Sequence, residues 1–301
     1  MKFLSSSTQN VSFISASGGT GKTKISLMLA YYLRQMKQDK KVLFMDLDPT
    51  AGASLSVFSE EEYEKHINDK KTLSEALDKY ITHRTSIRPE DVIVQARIGN
   101  MFVDFIIPGE ELVEVVNKLW SGSGVAGTRF KKALESFIPF NKYSYVIIDN
   151  APFFDPRYTA LSLHISHKIV IPIRPSLVDL KRTIKLYSWL KDETEASEGS
   201  KNLINYIYAV FNHVPPHPKQ IEHVFVENFL QGKTLNPSSS ISSKQYTYLL
   251  IRSQQLKNDG VKFINTYMEV SADVERFPLS GKLPDKAEKF IEQVAYKLNL
   301  I

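Results

Sequence analysis

The chain has 301 residues, of which 43% are hydrophobic and 24% are charged, as in ordinary globular proteins. It contains no cysteine, which excludes disulfides, thiolate metal sites and thiol nucleophiles. The formal net charge of +5 permits binding to a polyanion without indicating one. The polar N-terminus lacks a signal-peptide core, and the apolar runs are too short to span a bilayer, so we expect a cytoplasmic protein without membrane contact.

The first predicted element is a buried strand at 11–15, followed by a glycine-rich loop and an amphipathic helix that begins at Lys22. The loop ends in Gly21-Lys22-Thr23 and matches the pattern G-x-x-x-x-G-K-[ST] except for Ala16 in its first position. Backbone N–H groups in such a loop bind phosphate oxygens. We therefore expect Lys22 on the β- and γ-phosphates and the Thr23 hydroxyl on Mg²⁺; the alternative is an ordinary strand-to-helix turn with a chance lysine.

Two later strands end in carboxylates. The predicted strand at 42–48 ends in Asp46 and Asp48, and the predicted strand at 143–149 ends in Asp149. Because the carboxyl ends of parallel strands meet at the ligand crevice, these side chains should lie beside the phosphate loop. Side chains two apart on a strand point the same way, so Asp46 and Asp48 are expected to face one site. There, one carboxylate can hold a water on Mg²⁺ while the next orients a nucleophilic water.

Helices separate most of the predicted strands, which indicates an α/β fold: a doubly wound, mostly parallel sheet flanked by helices. We expect a single P-loop ATPase domain over 1–301, with a helical surface insertion at about 60–90 and a basic insertion at about 231–262. In the last predicted helix, at 285–298, apolar residues recur at i, i+3, i+4 and i+7 spacing. That face is predicted to be core.

The stretch at 231–258 contains basic residues, including Lys244, Arg252 and Lys257, and no acidic residue. With its tyrosines it could follow a nucleic-acid backbone, or it could be a solvated insertion, and both interpretations stay open. Asn212 ends another predicted strand at 204–211. Its amide could contact a base edge or serve as an ordinary turn residue.

These motifs, in this order, resemble the ParA/MinD group of P-loop ATPases across nearly the whole chain. The segments that carry the resemblance are the deviant phosphate loop, the two switches, two strand ends and a short motif before the last helix. They are SGGTGKT at 17–23, DLDP at 46–49, DFIIPG at 104–109, YVIIDNAP at 145–152, IPIRP at 171–175 and SGK at 280–282.

The resemblance implies an ATPase that uses ATP and Mg²⁺ and forms a nucleotide-sandwich homodimer. The roles that it implies fall on the phosphate loop, the strand-end carboxylates and one amide. They are Ser17, Gly18, Gly19, Thr20, Gly21, Lys22 and Thr23 around the phosphates, Thr23, Asp46 and Asp149 at the metal, Asp48 at the attacking water, and Asn212 at adenine.

Two departures from the group's pattern stand out. Ser17 occupies the position of the signature lysine that crosses the dimer to the partner's phosphates, and Arg157 is the candidate trans cation offered in its place. Removing such a cation can slow phosphoryl transfer by ~10³-fold. The segment before the last helix has fewer basic residues than the group's DNA-binding surface, so the candidate DNA contacts are Lys219, Lys244, Arg252, Lys257 and Arg276.

The resemblance is nearest to small ParA-type ATPases of plasmid or chromosome partition. It implies ATP-dependent dimerisation, nonspecific binding to duplex DNA, slow hydrolysis stimulated by a ParB-like partner, and association with the nucleoid in the ATP state. Two alternatives remain: a nucleotide-gated adaptor that positions a protein cargo without binding DNA, and an ATP-binding regulator that scarcely hydrolyses.

Overall fold

The structure is a computed structural model that describes residues 8–37, 39–83, 86–153, 155–196, 203–233 and 243–301. Eight strands form one sheet in the order β3-β4-β2-β5-β1-β6-β7-β8, in which β3 pairs antiparallel with β4 and every other pair is parallel. The strands are β1 Gln9–Phe13, β2 Val42–Leu47, β3 Val94–Ile98, β4 Met101–Ile106, β5 Tyr145–Asn150, β6 Lys168–Ile173, β7 Ile207–Val214 and β8 Lys262–Glu269. The predicted mostly parallel sheet is confirmed.

Twelve α-helices of the described residues flank this sheet. They are α1 Lys22–Met36, α2 Ser54–Val57, α3 Glu60–Asn68, α4 Leu73–Asp78, α5 Leu112–Ser121, α6 Ala126–Phe137, α7 Pro156–Leu163, α8 Leu177–Ala196, α9 Ile221–Leu230, α10 Ser243–Asn258, α11 Ala272–Glu275 and α12 Asp285–Lys297. A π-helical turn, Lys79–His83, extends α4, and 3₁₀ turns occur at Pro89–Asp91, Phe140–Lys142 and Leu203–Tyr206. Within the described ranges, no helix is both long and apolar enough to cross a bilayer.

The alternation of side chains along the strands sets the two layers of helices. Val11 and Phe13 of β1 pack with α1 and α12 on one face, whereas Ile14, just after β1, packs with α8, α9 and α10 on the other. The apolar stripe of α12 is buried against the sheet as predicted, with Phe290, Ile291 and Val294 at 2% exposure or less. Both faces of the central strands are therefore covered, as parallel sheets require.

The two predicted insertions contribute to the core. In the 60–90 segment, α3 has no buried residue, but Leu73 and Leu77 of α4 are fully buried against the sheet. The predicted surface insertion thus includes a helix whose apolar face is buried, which the charged residues of the segment did not indicate. In the 231–262 segment, Leu249 and Leu256 of α10 pack with α8 and α9, and residues 234–242 lie outside the described residues.

Candidate active site

The candidate site lies at the carboxyl ends of the central strands, beside a point where the strand order reverses. Strand β1 pairs with β5 on one side and β6 on the other, and the loop that follows β1 leads into α1. In open α/β sheets the ligand crevice forms at such a switch point. A cavity of 420 Å³ opens there, a size in the range of small-molecule sites. Its lining includes Ser17, Gly18, Gly19, Thr20, Gly21, Lys22, Thr23, Asp48 and Asn212.

The phosphate loop has a backbone that only glycine accommodates at its last turn. Gly21 has φ +81°, in the left-handed region, and precedes α1 as its N-cap. A Cβ at this position would lie 2.0 Å from Asn212 Nδ2, which is well inside van der Waals contact. The Thr20 hydroxyl in this loop is buried with no hydrogen-bond partner among the described residues. A tight turn beside an unsatisfied buried donor fits a loop built to receive an anion.

Lys22 and Thr23 both bind Asp149 at the base of the cavity. Lys22 Nζ lies 3.2 Å from Asp149 Oδ1, and Thr23 Oγ1 donates to Asp149 Oδ2 at 2.6 Å. The Lys22 side chain is 6% exposed and that of Asp149 is 0% exposed, so this ion pair is buried. Burial raises the pKa of Asp149, and the charge of Lys22 with the hydrogen bond from Thr23 partly offsets that rise. The hydroxyl and carboxylate oxygens are the donors that Mg²⁺ prefers.

Asp46 and Asp48 occupy different environments. Asp46 is fully buried and accepts hydrogen bonds from the backbone N–H and hydroxyl of Ser54, both at 2.8 Å, and from the Asp48 N–H at 3.1 Å. It lies in register with Asp149 on the neighbouring strand β5. Burial and the Asp149 carboxylate raise the pKa of Asp46 to about 7. Asp48 lines the cavity and accepts from the N–H and hydroxyl of Thr50, at 2.9 and 2.7 Å.

Asn212 lies under the phosphate loop near the end of β7. Its Nδ2 donates to the Thr20 carbonyl at 2.7 Å, and the side chain is 5% exposed. The amide therefore supports the loop, and it also lines the cavity. Its predicted contact with adenine stays a prediction.

Arg157 lies outside the cavity lining. Its Nε donates to both carboxylate oxygens of Asp155, at 2.8 and 3.0 Å, and the guanidinium also bonds Asn117. The paired Asp155 carboxylate already neutralises the charge that a trans cation would bring to a phosphate. The structure does not bring Arg157 together with the phosphate loop.

The candidate DNA contacts divide between the two faces of the sheet. Lys244, Arg252 and Lys257 lie on α10, which packs on one face, and Lys219 lies in the turn before α9 on that same side. Arg276 follows α11, and its neighbours Val274 and Phe277 pack on the opposite face with α1. Arg276 also pairs with Asp273 at 3.4 Å. The structure therefore does not gather the five cations into one surface.

One wall of the cavity was missed by sequence reasoning. Met268, Val270 and Val274, at the end of β8 and in α11, line the cavity opposite the phosphate loop. Lys24 of α1 ties this wall to the loop because its Nζ donates to the carbonyls of Glu275, at 2.9 Å, and Phe277. Apolar residues separated by polar ones at 261–268 would have predicted β8. The residues of this wall lie where β8 ends, so predicting the strand would also have placed the wall.

Comparisons with known proteins agree with this geometry. A family model described as AAA domain (AAA_31) matches residues 8–204, which is more than half of the chain. The chain belongs to this family. The virulence plasmid ParA family protein pGP5-D of Chlamydia psittaci is 34% identical over 144 residues, covering 48% of this chain and 49% of that protein. The match therefore spans about half the length of this curated relative.

Several solved structures share the AAA-family fold over nearly the whole chain. A plasmid partition protein from Borrelia burgdorferi bound to AMPPNP is 18% identical, with 97% of this chain and 98% of that chain covered and a TM-score of 0.64. Apo McdA from Cyanothece is 18% identical, with 95% and 98% covered and a TM-score of 0.67. The pNOB8 ParA bound to nonspecific DNA is 15% identical, with 97% and 99% covered and a TM-score of 0.65.

The predicted membership of the ParA/MinD group is confirmed by this family match and its ParA relative, and the P-loop fold by the solved structures. Lys22 and Thr23 each lie within hydrogen-bonding distance of Asp149, and Asp48 and Asn212 line the cavity that Lys22 and Thr23 also line. Asp46 lies behind the cavity and is held by Ser54.

Proposed function

We propose that this chain is a ParA-like partition ATPase. It binds ATP with Mg²⁺, forms a homodimer in the ATP state, binds duplex DNA without reading its sequence, and hydrolyses ATP slowly until a ParB-like partner stimulates it. The observation that carries the proposal is the phosphate loop in which Lys22 and Thr23 meet Asp149 at the base of a 420 Å³ cavity.

Different residues serve the phosphates, the metal ion and the attacking water. The loop N–H groups and Lys22 bind phosphate oxygens, which requires Lys22 to exchange its contact with Asp149 for one with the phosphates. Thr23 and Asp149 would hold Mg²⁺ and its waters, and the bound ion neutralises charge on the phosphoryl oxygens. Asp48, which lines the cavity, would orient the attacking water. Asp46, which is buried behind it, keeps the switch segment in place through Ser54.

Slow turnover is consistent with the small, neutral Ser17 in the phosphate loop. Its hydroxyl carries no charge to a phosphate, and the ion pair with Asp155 occupies Arg157. ATP hydrolysis that depends on a partner would then end the DNA-bound state of the cycle. Dimerisation doubles a weakly basic surface, so affinity for DNA rises steeply when two copies join.

The test is the affinity for nonspecific duplex DNA, measured by fluorescence anisotropy with ATP, with ADP and without nucleotide, at low and moderate salt. We expect binding only with ATP, and we expect it to weaken as salt rises because counterions are released from the phosphates. Lys22→Ala is the matched control that should bind no DNA in any nucleotide state. Equal affinity in all three states would reject the DNA-binding cycle.

The division of the candidate DNA contacts between two faces favours one alternative, a nucleotide-gated adaptor without DNA affinity. Arg276 is paired with Asp273, and Lys257 lies over the Phe229 ring at 5.8 Å, so each already contacts a group of this chain. In this case the DNA titration shows no binding in any state. Self-association that depends on ATP, measured by analytical ultracentrifugation, would still occur.

A further inference from the structure

Arg182 of α8 contacts the phosphate loop from outside the cavity lining. Its Nη1 donates to Ser17 Oγ at 3.2 Å, although the two residues are 165 positions apart. Ser17 is buried, at 2% exposure, and Arg182 is exposed, so the guanidinium lies over this residue at the rim of the loop. The space above Gly18 is open, since a Cβ there would meet no atom within 4 Å. A long arginine side chain can therefore move along this rim.

Arg182 differs from the other two arginines near the site in having no acidic partner among the described residues. Arg174, whose Nη1 would lie 3.9 Å from a Cβ on Gly19, is bound to the buried carboxylate of Asp179 through both Nε and Nη2. Arg157 is likewise bound to Asp155 through both Nε and Nη2. An arginine whose charge is already paired gains less from a phosphate than an unpaired one, because it must first give up its carboxylate.

Lys22 is already engaged by a carboxylate in a site that is rich in negative charge. Three carboxylates, Asp46, Asp48 and Asp149, surround the end of the sheet, and Lys22 is bound to one of them. A triphosphate adds further negative charge. The guanidinium of arginine is always protonated and matches phosphate oxygens with two parallel donors.

We propose that Arg182 is a second phosphate-binding cation of this site and makes it prefer ATP to ADP. The proposal rests on the proposed function, because it assumes that the loop binds a nucleoside triphosphate. The ligand is the terminal phosphate of ATP, held either by the same subunit or by a second copy whose loop faces this rim.

Four proteins test the role: the wild type, Arg182→Gln, Arg182→Lys and Lys181→Gln. The glutamine keeps a donor for Ser17 without the charge, the lysine keeps the charge, and Lys181→Gln removes the same charge from the neighbouring exposed position. Isothermal titration calorimetry gives the affinities for ATP and ADP. Steady-state hydrolysis of ATP provides a second readout.

We expect Arg182→Gln to reduce the preference for ATP over ADP by roughly tenfold or more, as the loss of a charge-assisted hydrogen bond does. Lys181→Gln should stay near the wild type, and Arg182→Lys should fall between the wild type and Arg182→Gln, because it keeps the charge without the paired donors. The titrations are repeated below and above the protein concentration at which the chain self-associates. This comparison distinguishes a phosphate held by the same subunit from one held by a second copy. An effect at both concentrations places the phosphate in the same subunit, and an effect only above it places the phosphate in the second copy.

Equal ATP preference in Arg182→Gln, Lys181→Gln and the wild type would overturn the role of Arg182. In that outcome the wild type still prefers ATP, so the proposed function is untouched. A wild type that binds ATP and ADP equally would overturn the role of Arg182 and leave the proposed function to the DNA titration. A wild type that binds neither nucleotide would remove both.

Discussion

Removing Lys22 should destabilise the protein by leaving a buried carboxylate without its partner. Lys22 Nζ lies 3.2 Å from Asp149 Oδ1, with side chains 6% and 0% exposed, so the pair is largely shielded from water. Breaking a buried ion pair from one side costs about 3–5 kcal/mol. We expect Lys22→Ala to lose about that amount in urea denaturation at pH 7 without nucleotide. The double variant with Asp149→Asn should recover at least about 2 kcal/mol, because the uncompensated charge is gone.

The loss of unfolding free energy in Lys22→Ala should also grow as the pH rises. Burial already raises the pKa of Asp149, and without Lys22 that pKa rises further. The unfolded chain then holds fewer protons than the folded chain above the ordinary aspartate pKa, so stability falls as pH rises. The gap between Lys22→Ala and the double variant should therefore be larger at pH 8 than at pH 5. A gap of equal size at both values, or none, would refute the reasoning that a lone buried charge causes the loss.

Two further predictions concern the loop and the strand-end carboxylate. Gly21→Ala places a Cβ 2.0 Å from Asn212 Nδ2 at φ +81°, and should cost more than about 1 kcal/mol in urea denaturation and abolish ATP binding in calorimetry. Gly18→Ala, which meets nothing within 4 Å, is the control and should fold normally. The pKa of Asp46 is raised to about 7, so the wild type should lose about 2 kcal/mol relative to Asp46→Asn between pH 5.5 and 7. If the free energies of unfolding of the wild type and Asp46→Asn changed in parallel with pH, the raised pKa of Asp46 would be contradicted.

The sequence predicted the strands and the loop that carry the site, because short-range patterns determine them. Apolar runs in β2 and β5 lead to aspartates, and the phosphate loop is a local motif whose glycines are required by its backbone. Pairing in register then places Asp46 beside Asp149, which follows from the parallel sheet alone. Lys22, Thr23 and Asp149 came together for that reason.

Asp46 and Asp48 have different hydrogen-bond partners because the strand ends between them. Strand β2 runs from Val42 to Leu47, so the alternation of side chains applies to Asp46 and no longer to Asp48. Asp46 turns to Ser54 of α2, and Asp48 joins the cavity through the turn that Thr50 stabilises. A pattern two residues long cannot indicate where the chain leaves the strand.

Contacts between distant segments were beyond sequence reasoning, and they decide the charge of the site. Ser17 predicts that another cation serves the site, and Arg157, just past the second switch motif, is the candidate that the sequence offers. Folding instead pairs Arg157 with Asp155 and Arg174 with Asp179, each within a few residues. Arg182 of α8 forms no ion pair within the part of the chain that the structure describes, because the acid three residues before it, Asp179, is bound to Arg174; it instead donates to Ser17 across the crossover from β6. The cation that a site receives therefore depends on which arginines are already held by an acid, because local pairs form at little entropic cost.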